Sequence, residues 1–198
     1  MSKIFFESSD FYATALDDSQ VNQITELFAQ DKYNDPEKIY ATFDKYGNIS
    51  QYKLIEWAHW RIDKYKNMDI SLKDQHYVIL RKEDNKLIGW LTLYPMSDMQ
   101  SLASELKMIH MNSIVISYRV HPDERRKGYA SAFVKLFFDY VFKIFPKDNF
   151  IYMIVDRRNI QSIKLMAKLN CPEIKNMKFY DGRSVSLYGM TRRRLYQK

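Results

Sequence analysis

Apolar residues recur along this chain at two different spacings. In the first third the spacing is helical. Val21, Ile24, Leu27 and Phe28 fall on one face of "DSQVNQITELFAQ", and Asp17, Asp18 and Ser19 stand ahead of them as capping residues. "NDPEKIYATFDKYGN" is a shorter helical piece closed at Gly47. "SQYKLIEWAHWRIDKYK", capped by Ser50, puts Leu54, Trp57, Ala58, Arg61 and Ile62 on a shared face. Before these helices "FYATALDD" reads as a strand running into a helix start.

The period then shortens. "HYVILRKEDNKLIGWLTLYP" is two β runs around a polar turn at 82–86, an antiparallel hairpin. "MSDMQSLASELKMIHMN" is a polar, methionine-rich connection. "SIVISYRV" and "FIYMIVD" are strands. Between them "GYASAFVKLFFDYVFKIF" predicts a helix apolar on nearly every side, hence deeply packed. "NIQSIKLMAKLN" is a further helix, and "MKFYDGRSVSLYGMTRRRL" a final hairpin turning at Asp181 and Gly182. The order predicts a mixed α/β sheet with helices on both faces. Five prolines and five glycines leave no flexible linker. Residues 1–198 therefore read as one domain, with a helical region at 17–70 and a sheet-forming core at 76–195.

Composition narrows this little. A chain of 198 residues can bury a real core. Its 46% hydrophobic and 28% charged residues are ordinary for a soluble domain. Aromatics at 15% point to a large core, an aromatic-lined pocket, or both. The net charge of +7 suits nucleic acid, an anionic membrane surface or a polyphosphate ligand, without choosing among them. No apolar run approaches the length of a membrane span, and the start, "MSKIFFESSD", has too short an apolar patch for a signal peptide. The single cysteine, Cys171, cannot form an intrachain disulfide and reads as a packing residue, so a reducing, cytoplasmic setting is the simplest expectation. The four histidines have no ligand spacing, and no metal site is expected.

The chemistry concentrates at "HPDERRKGYA", residues 121–130. Here a strand turns directly into a helix. The first turn of a helix carries unpaired N–H groups and partial positive charge, which attract phosphate. Gly128 lets the backbone approach an oxygen without a Cβ in the way, Ala130 keeps the helix start uncrowded, and Arg125, Arg126 and Lys127 add cations at the rim. The construction suits a pyrophosphate. A solvated basic turn is the plainer alternative.

The spacing R-x-x-G-x-A, the preceding "V-x-P" strand end and the later "N-x-x-S…K-L" of "DRRNIQSIKLMAKLNCPE" resemble the GCN5-related N-acetyltransferase (GNAT) family, most like its ribosomal-protein N-terminal acetyltransferase branch. The resemblance covers about residues 76–195 and is only topological before that. It implies a mostly antiparallel sheet whose strand ending at Val120 splays from "FIYMIVD" to admit pantetheine, with 17–70 on the acceptor side. It implies acetyl-CoA as donor, coenzyme A as product, and direct attack by an acceptor amine. Backbone groups of Tyr118, Arg119 and Val120 would pair with the pantetheine amides. Those of Arg125, Arg126, Lys127, Gly128, Tyr129 and Ala130 would hold the pyrophosphate. Asn159 would bond the pantetheine arm, unless it serves simply as a helix cap, and Ser162 would face the same cofactor.

The chain departs from the family where catalysis is concerned. The tyrosine that often protonates the leaving thiolate is replaced by Met166, which has no proton to give. Ser162 or a water would have to serve. The usual Gly-Phe is Asn170-Cys171. Candidates for a general base are Glu105, His110, Glu56 and Asp156; Glu105 leads, because the connection carrying it and His110 can border the acceptor site. His121 reads as structural or solvent-exposed. Trp57 and Trp60 belong to the core or line an acceptor pocket. The acceptor would be a small amine or a peptide N-terminus, and the protein a monomer or homodimer. Two other classes stay open. One is a non-catalytic acyl-CoA-binding or sensing module, for which Met166 argues. The other is a nucleic-acid binder using residues 125–127 and 192–194, against which stands the lack of any groove-reading helix or stacking motif.

Overall fold

The structure, a computed structural model, describes residues 3–29, 51–65, 75–96, 113–178 and 182–197. These form eight strands: β1 (Ile4–Glu7), β2 (Phe11–Ala15), β3 (Gln75–Arg81), β4 (Leu87–Pro95), β5 (Ile114–Val120), β6 (Phe150–Asp156), β7 (Glu173–Lys178) and β8 (Ser184–Thr191). The helices among the described residues are α1 (Val21–Ala29), α2 (Gln51–Tyr65), α3 (Tyr129–Ile144), α4 (Ile160–Lys168) and the five-residue α5 (Arg192–Tyr196). The strands make one sheet in the order β1-β2-β3-β4-β5-β6-β8-β7. Every neighbouring pair is antiparallel except β5 and β6. That parallel join needs a crossover, and α3 supplies it.

Alternation along the strands sends side chains to the two faces of the sheet, where they join three hydrophobic clusters. On β3, Tyr77 and Ile79 face one side with Phe133, Phe137 and Phe138 of α3 and Met166 of α4. Val78 and Leu80 face the other, against Val21, Ile24 and Leu27 of α1 and Trp57, Ala58 and Ile62 of α2. The expected arrangement of helices on both faces is what is found. α3 is not packed all round, however. Phe133, Val134, Phe137, Phe138, Val141 and Phe142 are buried on one broad stripe, while Lys135 is exposed and Lys143 pairs with Asp139 at 2.6 Å. Each buried side chain of this kind contributes roughly 1.5–3 kcal/mol. Aromatic and β-branched residues are mediocre helix formers, so burial rather than local propensity holds α3 on the sheet.

Most element boundaries follow the sequence pattern. Asp17 caps the turn into α1: its carboxylate accepts from Ser19 N–H at 2.9 Å, while Gln20 Oε1 accepts from Asp17 N–H at 2.9 Å. Asn85, at φ 56°, closes the β3–β4 turn. Three features differ from expectation. β1 is a strand that its short apolar patch hid. A register irregularity between Ile4 and Phe6 breaks the alternation, and it brings Phe5 against Tyr77 (5.0 Å between ring centroids) and Phe6 against Phe137 (5.8 Å). β7 begins at Glu173, before the expected final hairpin. The "RRRL" that ends the expected hairpin is helical: Thr191, the last residue of β8, accepts from Arg194 N–H and starts α5. Arg192 turns inward, its Nη2 donating to the carbonyl of Phe142 (2.8 Å) in the last turn of α3 and to that of Pro146 (3.2 Å) beyond it. Ser50, the piece at 34–48, the 97–112 connection and Asp181 lie outside the described residues.

Candidate active site

β5 and β6 touch only at their beginnings. Ile114 pairs with Ile151 and Val115 with Tyr152. From 116 to 120 β5 still pairs with β4, Ile116 with Leu93 through Val120 with Gly89, but with β6 no further. Tyr118, Arg119 and Val120 therefore border an opening in the sheet, on the side where β6 has parted from β5. The expected splay is present.

At the end of β5 the chain makes a short 3-10 turn, Pro122–Glu124, and then α3 starts. Arg125 is extended, Arg126 has φ 64° and Gly128 has φ 88°. Left-handed residues interleaved with ordinary ones aim successive N–H groups into one concavity, a shape that binds anions. Gly128 precedes Tyr129, so the turn feeds straight into the N-terminus of a 16-residue helix. A Cβ built at Gly128 would meet nothing within 4 Å. The protein itself leaves the space above this residue open. Tyr129 and Ala130 are half-buried, with Tyr129 edge-on to Phe11 at 6.4 Å.

The side chains of this turn do more structural work than their charges suggest. Lys127 Nζ lies 2.9 Å from Glu124 Oε2, so its charge is matched within the loop. Arg125 Nε donates to the carbonyl of Val120 at 3.2 Å. Arg126 is exposed. Glu124 was not singled out by the sequence, yet it anchors the turn. Its side chain is 2% exposed and also meets Arg81 Nη1 at 3.2 Å and Lys86 Nζ at 3.3 Å. Burial pushes its pKa up, but the Lys127, Lys86 and Arg81 cations outweigh this and hold it below the ordinary glutamate value. The three cations come from β3, the β3–β4 turn and the loop itself, a juxtaposition no local pattern reveals. His121 is buried, not solvent-exposed. Its N–H donates to Ile88 O at 3.0 Å, and burial lowers its pKa. It ties the loop to the same hairpin.

Across the opening, Asn159 caps α4. Its Oδ1 accepts from Ser162 N–H at 3.1 Å, which leaves its amide NH2 as a remaining donor. Ser162 Oγ in turn accepts from the hydroxyl of Tyr118 at 2.9 Å. Met166, one turn further along α4, is fully buried in the core beside Leu165. Of the candidate bases, Asp156 is occupied. Arg158 grips it through Nε (3.0 Å) and Nη2 (2.7 Å), and these contacts lower its pKa. Glu56 is exposed on α2. Glu105 and His110 lie outside the described residues. Trp57 is buried and stacked on Trp90 at 5.8 Å, whereas Trp60 is 53% exposed. Cys171 is buried, which pushes its thiol up to about 12 and makes it a packing residue. No helix among the described residues is long and apolar enough to cross a membrane.

An open, mostly antiparallel α/β sheet parted beside its one parallel join, with a strand–turn–helix nest at the parting, defines the class. A family model described as an acetyltransferase (GNAT) domain matches residues 15–171, the greater part of the chain. The chain belongs to the GNAT acetyltransferase family. A solved GNAT acetyltransferase from Bacillus anthracis is 13% identical with a TM-score of 0.65, the match covering 96% of this chain and 98% of that one. A variant of the spermidine N-acetyltransferase SpeG from Vibrio cholerae is 16% identical, TM-score 0.66, covering 96% and 98%. Ribosomal-protein-S5-alanine acetyltransferase from Vibrio fischeri is 14% identical, TM-score 0.63, covering 94% and 95%. At these identities the likeness is one of fold, and the ribosomal-protein branch stands beside others. Comparison with curated proteins by sequence found no match.

Proposed function

We propose that the protein is an acetyl-CoA-dependent N-acetyltransferase that passes an acetyl group to a primary amine by direct attack, with coenzyme A as product. The observation that carries this reading is the opening between β5 and β6, continuous with a positive-φ turn at the start of α3. One wall offers extended main chain at Tyr118, Arg119 and Val120, of the right kind to pair with an amide-bearing arm. The far end, residues 125–130, offers N–H groups and a helix terminus to a pyrophosphate, with Arg126 exposed beside it. The remaining NH2 of Asn159 would bond the arm from α4, and Ser162 would lie one turn on. Acetyl-CoA when bound supplies the activated thioester. The chain's own task is to grip both ends of the donor, position its carbonyl and keep a proton donor near the sulfur.

The acceptor is a small amine or a peptide N-terminus; among the similar structures, the Vibrio cholerae protein is a spermidine N-acetyltransferase and the Vibrio fischeri one a ribosomal-protein-S5-alanine acetyltransferase. The α1 and α2 region would shape its site. One domain spanning 1–198, a cytoplasmic setting and a monomer or homodimer complete the reading.

The test is calorimetric titration and thermal shift with acetyl-CoA, followed by thiol release with an amine panel. A ligand at 100 times its Kd stabilises the folded state by about 2.7 kcal/mol, so a clear upward shift of Tm is expected. No shift and no heat would remove the reading. The buried Met166 favours one second reading, a binding module that holds acyl-CoA without turning it over. Saturable binding with no thiol release to any acceptor would select it.

A further inference from the structure

We infer that Tyr118 and Ser162 form a two-hydroxyl relay that delivers a proton to the sulfur leaving the acetyl donor; this rests on the acetyl-transfer reading above. The two residues come from the two elements that flank the opening. Tyr118 lies on β5 beyond the last β5–β6 pair, and Ser162 lies in the first turn of α4, the helix that follows β6. The phenol hydroxyl donates to Ser162 Oγ at 2.9 Å. A serine hydroxyl has one proton and two lone pairs. Accepting from Tyr118 therefore leaves the Ser162 proton to be donated onward.

Both partners are fixed from behind. The half-buried Tyr118 ring packs edge-on against Phe133 at 6.4 Å, and Ser162 N–H is held by Asn159 at 3.1 Å. Met166 sits on the same helix face, four residues on. A helical side chain leans over the turn N-terminal to it, so residue 166 covers the turn that carries Ser162. It does so with a fully buried thioether. Met166 has no proton to give, and the hydroxyl that meets Ser162 comes from β5, through Tyr118. Burial holds the phenol up at about 12, so it is protonated at neutral pH.

In the step, the amine nitrogen forms the new C–N bond, the C–S bond breaks and sulfur leaves with the electron pair. Sulfur takes the Ser162 proton, and Ser162 takes the proton of Tyr118. The phenolate regains from water the proton that the acylated nitrogen gives up to water.

The test compares wild type, Tyr118→Phe, Ser162→Ala and the double variant. The phenylalanine keeps the ring packing and the backbone. Acetyl-CoA affinity is measured by calorimetry, and thiol release at saturating acetyl-CoA with water, spermidine or an alanine-starting peptide as acceptor. A thiolate leaves readily, so the loss expected is at the low end for acid catalysis, about tenfold in kcat. Acetyl-CoA Kd is expected to stay within about threefold, and the double variant to be no slower than the worse single one, as for groups acting in series. Tyr118→Phe turning over at the wild-type rate would overturn the relay. So would parallel losses of affinity and kcat, which would mark a structural bolt. Wild-type protein that binds acetyl-CoA but releases no thiol to any of the three acceptors would overturn it too, leaving the donor site standing. Wild-type protein that binds no acetyl-CoA would instead remove the acetyl-transfer reading itself.

Discussion

The opening in the sheet is built differently at its two ends. At the α3 end the groups facing the space are main chain: a turn with φ 64° at Arg126 and 88° at Gly128, running into a helix start. Most of the nearby side chains are spent on holding that turn, Lys127 on Glu124 and Arg125 on the carbonyl of Val120. At the α4 end the groups are side chains, the Tyr118 and Ser162 hydroxyls and the amide of Asn159. A main-chain site survives any substitution that leaves the backbone path intact and fails when that path changes. A side-chain site fails one group at a time. Grip and chemistry are thus separable, and mutations should sort accordingly.

The sharpest way to break the comparison is Gly128→Val. A β-branched residue at φ 88° is strained, and its methyl groups would stand where the pyrophosphate is proposed to lie. Acetyl-CoA affinity should fall by at least about 100-fold, or ~2.7 kcal/mol, in calorimetric titration. Gly128→Ala separates the causes. It carries the αL strain of about 1–2 kcal/mol but meets no atom of the protein within 4 Å. Wild-type affinity in the valine variant would show that this turn is not the anion site.

Glu124→Gln attacks the same end from beneath. It leaves Arg81, Lys86 and Lys127 around a neutral group. Breaking a buried pair is costly, but Lys86 and Lys127 are partly solvated, so the loss expected in chemical denaturation is about 2–3 kcal/mol. The pH dependence has a definite sign. Glu124 has a folded pKa below its unfolded value, which is roughly 4.3. Its contribution is present in full above that value and is lost as pH falls through the folded pKa. The gap between wild type and variant should therefore close on acidification. A gap that stays constant would mean that the carboxylate's charge is not what holds the loop.

Arg192→Ala serves as the control remote from the opening. Its guanidinium donates to the carbonyl of Phe142 in the last turn of α3 and to that of Pro146 just beyond it, and lies 4.7 Å from the centroid of the Phe142 ring. Charged hydrogen bonds of this kind are worth about 1.5–3 kcal/mol, so Tm should fall while acetyl-CoA affinity holds. Equal losses of stability and affinity would show that the far end of α3 and its start are coupled.

The same division explains what could be read without coordinates. The turn at 121–130 was visible because its ingredients are contiguous: a strand, a glycine, small residues and a helix pattern in unbroken order. The β3–β4 hairpin and the crossover through α3 were legible for the same reason. Glu124 was not, because its meaning depends on Arg81 and Lys86, 43 and 38 positions earlier, across a folded hairpin. The Tyr118–Ser162 contact spans 44 positions, and no spacing rule predicts which hydroxyls will meet. β1 was hidden by its broken alternation. α5 was masked because its basic run continues the final hairpin without a break, until the inward turn of Arg192 is seen.

The smallest effect is the most discriminating, because Asn159 has two duties that one substitution can separate. As a cap it offers Oδ1 to Ser162 N–H. As a proposed ligand it offers its NH2. Asn159→Ala removes both and should cost about 1 kcal/mol of stability together with affinity. Asn159→Asp keeps the acceptor oxygen and adds a negative charge that the start of α4 tolerates well, but it has no amide proton to donate. Its stability should match wild type or slightly exceed it. Its acetyl-CoA affinity should drop by about three- to tenfold, the worth of one hydrogen bond of roughly 0.5–1.5 kcal/mol. Denaturation and titration on the two variants give four numbers, and only the aspartate's affinity bears on the ligand role. If that affinity equals wild type, Asn159 is a cap alone. The donor would then be gripped entirely by main chain, and the contrast between the two ends would narrow to the single pair of hydroxyls at Tyr118 and Ser162.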